Sequence, residues 1–118
     1  MAIHNELGVE GEIAARSHLL SMGYAILHTN WRKGRHELDI IATFKNKLVV
    51  VEVKTRSKTV VETGNVMSRN KEKSLIKAVN KYLQCQEGEL DCQIDLLIME
   101  KKDQGFNVIH IKDAIGQE

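Results

Sequence analysis

Asp39, Glu52 and Lys54 have the residue types and the spacing for divalent-metal chemistry. They lie in the stretch Glu37-Leu38-Asp39-Ile40-Ile41-Ala42-Thr43-Phe44-Lys45-Asn46-Lys47-Leu48-Val49-Val50-Val51-Glu52-Val53-Lys54. Two apolar runs flank a short polar turn there, which is the pattern of a β-hairpin. With Lys45-Asn46 as a two-residue turn, Phe44 falls opposite Lys47, Asp39 opposite Glu52, and Glu37 opposite Lys54. Side chains alternate along a strand and directly opposed residues share a face, so three carboxylates and a lysine converge on one patch. Hard cations such as Mg²⁺ or Mn²⁺ take oxygen ligands, with water and substrate phosphates completing the shell. Asp39 and Glu52 supply the carboxylates and the Val53 carbonyl a third oxygen. Lys54 is placed to orient or deprotonate a water and to offset charge developing on a phosphate. The plainer alternative is a pair of cross-strand ion pairs on a solvated face, since a D-x₁₂-E-x-K triplet also arises by chance.

The elements that must carry these residues follow from periodicity. Residues 5–22 read as a helix, with Asn5 as N-cap and Gly23 as its stop. Gly8, Glu12, Ala15 and Leu19 form one stripe, which brings Glu12 near the packed face and over the sheet carrying Asp39 and Glu52. The alternative for Glu12 is a surface pair with Arg16 one turn on. Residues 24–29 read as a strand, 30–35 as a polar, basic loop, and 36–54 as the hairpin. Residues 55–66 have no clear period and read as a loop beside the site. Residues 68–84 form a second helix, its apolar stripe Leu75, Ile76, Val79 and Leu83 widened by Ala78 and Tyr82. Arg69, Lys73, Lys77 and Lys81 line another side, a ridge able to follow a phosphate backbone or simply a solvated face. Residues 87–91 are an acidic turn, 92–99 a buried-type strand containing Asp95, 101–105 a turn, and 106–111 a closing strand, with a helical turn at the end. The order αβββαββ predicts an α/β domain on a mixed sheet.

At 118 residues, one domain over 1–118 is expected. No apolar run is long enough to span a membrane, and no export signal opens the chain, so a cytoplasmic protein with no membrane partner is expected. Cys85 and Cys92 match no zinc spacing, and the five histidines form no ligand pair on one helix face. The net charge of +1 hides an uneven distribution: residues 31–81 hold 13 Lys and Arg against five Asp and Glu, while the rest carries a net −7. Glu37, Asp39 and Glu52 lie inside that basic segment, and a basic field around an acidic pocket suits a metal-dependent site that meets phosphates. Arg32, Arg56, Lys73 and Lys77 are the candidate nucleic-acid contacts. The aromatics that might stack on bases, Trp31, Tyr24, Tyr82 and one or other Phe, do not cluster in sequence, so a single-strand stacking platform is not expected. Trp31, between Asn30 and Arg32-Lys33, reads as a nucleic-acid contact or as a partly buried anchor.

The wider pattern resembles the small bacterial YraN-type family, a group assigned to the PD-(D/E)XK nucleases. The matching pieces are Leu7-Gly8, Gly11-Glu12-x-x-Ala15, Leu19-Leu20, Gly23-Tyr24-x-Ile26-Leu27, Asn30-x-Arg32, Glu37 to Ala42 and Leu48 to Arg56. They continue with Lys73, Ala78, Tyr82-Leu83, Ile94-Asp95-Leu96, and the tail His110-Ile111-Lys112-x-Ala114. The match covers nearly the whole chain in order. It implies a restriction-endonuclease-like three-layer core close to Holliday junction resolvases, with Asp39, Glu52 and Lys54 on the nuclease motif. Glu12 falls on the first-helix carboxylate often seen in such sites, and Glu37 is a supporting acid. His36 departs from the pattern, which looks to prefer Gly there, and puts the local backbone in question.

The expectation is therefore a Mg²⁺- or Mn²⁺-dependent endonuclease acting on structured or duplex DNA, as a homodimer if two strands are cut symmetrically. The rivals are a nucleic-acid-binding module of the same fold that does not cut, and a protein-interaction domain in which these charges are structural.

Overall fold

In the computed structural model the elements are α1 (Ala2–Ser21), β1 (Ala25–Lys33), β2 (His36–Phe44), β3 (Lys47–Arg56), α2 (Arg69–Gln84), β4 (Cys92–Lys101) and β5 (Phe106–Ile111). The structure describes residues 2–57, 67–86 and 91–115, with side chains from residue 6 onward. The five strands lie in the order β1-β2-β3-β4-β5, and among the described residues only the β3–β4 pair is parallel. A parallel pair needs a crossover, and α2 lies between β3 and β4 in the chain to provide it. This is the expected αβββαββ order on a mixed sheet.

The valine run explains the layering. Leu48, Val49, Val50 and Val51 are all buried, so β3 is covered on both faces. Val49 and Val51 join Ile40, Ala42, Leu97 and Met99 against Ala15 and Leu19 of α1. Leu48 and Val50 join Ile41 and Ile94 against Leu75, Ala78, Val79 and Tyr82 of α2. One helix thus lies on each side of the sheet.

The 45–46 turn is as expected: Phe44 pairs with Lys47, and both turn residues have positive φ, 51° and 64°. Such a turn matches the right-handed twist of the strands it joins. Several boundaries differ. The helix begins at Ala2, so Asn5 lies inside it rather than capping it. β1 runs through residues 30–33 because Trp31 packs edge-on against Tyr82 with ring centroids 5.3 Å apart, and that packing outweighs the polar composition. β3 takes up Thr55 and Arg56. Among the described residues after β5, up to residue 115, there is no helical turn; Asp113 has a φ of 52°, and the Ala114 N–H donates to the Ile94 carbonyl at 2.8 Å. The remainder of the 55–66 loop, from residue 58, and residues 87–90 of the acidic turn lie outside the described residues.

Trp31 is therefore the partly buried anchor. The aromatics pair in space although they are scattered in sequence, since Tyr24 also stacks on Phe44 at 4.3 Å. Asp95, fully buried, meets His110 Nε2 at 2.7 Å and accepts from Gln93 Nε2 at 2.8 Å and from the Asp113 N–H at 2.9 Å. It ties β4 to β5 and to the tail, and it acts as a structural acid. No described helix is long and apolar enough to cross a membrane.

Candidate carboxylate centre

The site forms where β2 and β3 part. Their ladder is regular from Phe44↔Lys47 to Ile40↔Val51, and the next positions are Asp39 and Glu52. There the Asp39 side chain takes over from the backbone: Oδ2 accepts the Val53 N–H at 2.9 Å. The alternation of β2 breaks at the same point. Ile40 and Ala42 face α1 and Ile41 faces α2, yet Leu38 also packs in the α2 cluster. The irregularity leaves a cavity of about 260 Å³ lined by Asp39 and Glu52 together with Arg35, Glu37, Lys71 and Lys77.

Glu52 is on the α2 side and its side chain is only 10% exposed. Burial, then the charge of Asp39, push its carboxyl up to about 7, and a hydrogen bond to Asp39 favours the protonated form further. Lys71 opposes this, with Nζ 3.1 Å from Glu52 Oε2. Burial alone would lower the Lys71 pKa, but Glu52, then Asp39 and Glu37, outweigh it and the ammonium form is favoured. Ser68 fixes this lysine's backbone: it caps α2, its hydroxyl accepting the Lys71 N–H at 3.1 Å. Reading the sequence alone misses Lys71. The available signal is its position four residues before Leu75, which extends the buried stripe of α2 toward the sheet.

The other expected residues are placed as follows. Lys54 is exposed and borders a second cavity on the same side of the sheet, shared with Glu52, Ser68 and Lys71. Val53 contributes its N–H to Asp39. Glu37 does not meet Lys54 but pairs with Arg32 across the β1–β2 ladder at 3.3 Å. Arg56 is bound to Glu100 on β4, Nη2 to Oε2 at 2.6 Å and Nε to Oε2 at 3.0 Å, which ties it to the neighbouring strand. Lys73 and Lys77 are exposed, and of the two only Lys77 borders the first cavity. His36 takes ordinary strand backbone, because the positive φ of that turn, 62°, falls on Gly34.

The cover over Glu52 differs from the expectation, while Glu12 remains linked to Asp39 by charge. α1 covers the Val49 and Val51 face, so α2 rather than α1 lies over Glu52. Glu12 is half-buried on α1, and its pKa is raised, first by burial and then by the charge of Asp39, while Arg16 pulls it down. Asp39 is the acid whose charge acts on both Glu12 and Glu52. Among the described residues, no three His, Cys, Asp or Glu side chains converge closely enough to hold a metal ion together. The centre is therefore a two-carboxylate pair. A hard divalent cation sharing it with water and substrate oxygens would fit.

Comparison with known proteins gives the family. Residues 11–111 match the model of the uncharacterised protein family UPF0102. A UPF0102 protein of Bacteroides thetaiotaomicron is 41% identical over 115 residues, 97% of this chain and 95% of that protein. One from Christiangramia forsetii is 44% identical over 119 residues, with 97% of each chain covered. Among solved structures, that of Pyrococcus furiosus SfsA in complex with Ca²⁺ aligns with a TM-score of 0.33 at 14% identity, over 92% of this chain and 62% of that one. The likeness is too slight to carry an inference. On the family match and these relatives, the chain belongs to the UPF0102 family.

Proposed function

We propose that this chain is a Mg²⁺- or Mn²⁺-dependent endonuclease that hydrolyses phosphodiesters in structured or duplex DNA, on a restriction-endonuclease-like core. The observation that carries the reading is the pairing of Asp39 and Glu52 in one cavity whose other lining includes Arg35, Lys71 and Lys77. Like charges held together in a partly dry site are costly unless a cation compensates them, and basic walls suit an incoming phosphate. A bound divalent ion would supply Lewis acidity and an activated water. Asp39 and Glu52 would hold it. Lys54, exposed beside the second cavity, would orient water or meet charge developing on the phosphate. Asp39 also fixes the strand through Val53, so the ligand and the backbone beside the second ligand are set together.

The second reading is a nucleic-acid-binding module that does not cut, favoured by the absence of a third converging acid among the described residues. The deciding experiment presents labelled duplex, nicked and four-way-junction DNA with Mg²⁺, Mn²⁺ or EDTA. Metal-dependent cleavage that disappears in Asp39→Asn and Glu52→Gln supports the enzyme. Metal-independent binding with no cleavage of any substrate supports the module.

A further inference from the structure

We propose that Lys71 is the resident counter-ion of the carboxylate pair: its ammonium stands in for the divalent cation beside Glu52, yields that place when the cation binds, and then meets the phosphate of the bound strand. This rests on the metal-centre reading above and assigns a role to a residue outside the Asp39–Glu52–Lys54 motif.

Four observations support it. Lys71 Nζ lies 3.1 Å from Glu52 Oε2, whereas Lys54 makes no ion pair among the described residues. Lys71 borders both cavities, the one shared by Asp39 and Glu52 and the one shared by Glu52 and Lys54. Its pivot is fixed by the Ser68 cap and by the burial of Leu75 one turn on, while the ammonium sits on a flexible four-carbon stem. The two partners differ in freedom as well: the Lys71 side chain is 54% exposed and the Glu52 side chain 10%. The lysine can therefore swing into water or toward a ligand, whereas the glutamate is held in place.

Charge balance gives the exchange its direction. With both acids ionised, one ammonium leaves the two-carboxylate pair with a net −1. A divalent ion neutralises both acids, removes the attraction that holds Lys71, and places two like charges side by side. The phosphate that enters with the ion is then an anion able to accept the released ammonium.

The test uses the full chain and Mn²⁺ alone. Calorimetric titration at neutral pH compares wild type with Lys71→Met, and thermal unfolding checks that both are folded. Removing one unit charge about 4 Å from a half-solvated site should tighten Mn²⁺ binding by about tenfold. Unchanged or weaker binding in the variant, with wild type still binding, overturns the counter-ion role and leaves the metal centre standing. Failure of wild type to bind Mn²⁺ removes the metal centre and this proposal with it. A second measurement needs no charge-removing variant. The ε-methylene NMR signals of Lys71 in wild type, assigned with Lys71→Arg, should move toward those of a solvated lysine during Mg²⁺ titration. Signals that stay fixed while Mg²⁺ binds overturn the exchange.

Discussion

Asp39 Oδ2 accepts the backbone N–H of Val53, the residue next to Glu52, at 2.9 Å. One carboxylate thus does two things, closing the strand where the ladder stops and holding negative charge beside Glu52. The two roles separate by substitution. Asp39→Asn keeps an oxygen for the Val53 N–H and removes the charge, so it should abolish divalent-metal binding while leaving the apo protein as stable or more stable. Asp39→Ala removes both and leaves the N–H without its partner, which should cost about 1–3 kcal/mol. Denaturant midpoints and Mn²⁺ titrations of the two variants check this. Equal stabilities would show that the clamp contributes nothing.

Glu52 gives a pH dependence. Its carboxyl rises from 4.5 to about 7, so the folded chain binds its proton more tightly than the unfolded chain does. The resulting stability is complete below the unfolded value and is lost as pH rises through the folded one. Across the window from about 4.5 to 7, the apo protein should lose roughly 3 kcal/mol from this group. Glu52→Gln should flatten the profile, and saturating Mn²⁺ should restore stability at the alkaline end. A wild-type profile that rises over this window would contradict the assignment of burial and like charge as the cause.

Gly11 and Glu12 adjoin on α1, and the close approach of Gly11 to β3 sets where Glu12 stands. A Cβ at Gly11 would lie 2.1 Å from Thr55 Oγ1 and 2.8 Å from its Cγ2. Gly11→Ala should therefore push α1 off the sheet and cost about 1–3 kcal/mol. Thr55→Ala should recover most of that loss in the double variant, because it deletes the two nearest atoms. A full double-mutant cycle is the measurement, and additive effects would mean that the contact is not what limits α1.

Asp95 provides the contrast with the two site acids. It has three partners, Gln93, His110 and Asp113, and no exposure. Asp95→Ala should cost about 3–5 kcal/mol by leaving those partners unpaired in the interior. The relative Mn²⁺ affinity of the protein that remains folded should not change. An Mn²⁺ affinity that falls with Asp95 would place this acid in the centre after all.

How much of this was legible in the sequence depended on whether local chemistry or packing decided each point. The 36–54 hairpin was legible because Lys45 and Asn46 both take positive φ in a two-residue turn and the valine run fixes the faces. The Glu37–Lys54 pair was not, since counting along a regular ladder cannot foresee that the Asp39 side chain replaces it from position 39 outward. Glu37 instead meets Arg32 because β1 continues past its apolar part, held by Trp31 on Tyr82. Glu12 was placed on the correct side of its helix, but which helix covers which face of the sheet is a matter of topology. Lys71 was obscured by its charge, which reads as surface although its spacing from Leu75 reads as core.

Nucleic-acid contact can be tested on the same geometric grounds. Of the four basic residues expected to meet phosphate, Arg32 is engaged by Glu37 and Arg56 by Glu100, while Lys73 and Lys77 point outward from α2 and Lys77 borders the carboxylate cavity. Each phosphate contact adds about 0.9 to the slope of log K against log salt for duplex DNA. Changing Lys73 and Lys77 together to Gln should therefore lower the slope by about 1.8 and weaken binding to all sequences alike. Arg56→Gln should leave the slope unchanged and lower the melting temperature, because a side chain only 12% exposed loses its partner on the neighbouring strand. The measurement is DNA affinity at several salt concentrations in EDTA, so that binding is read without cleavage. A slope that falls with Arg56 and not with Lys73 and Lys77 would move the DNA path away from α2 and toward the far end of the β3–β4 pair.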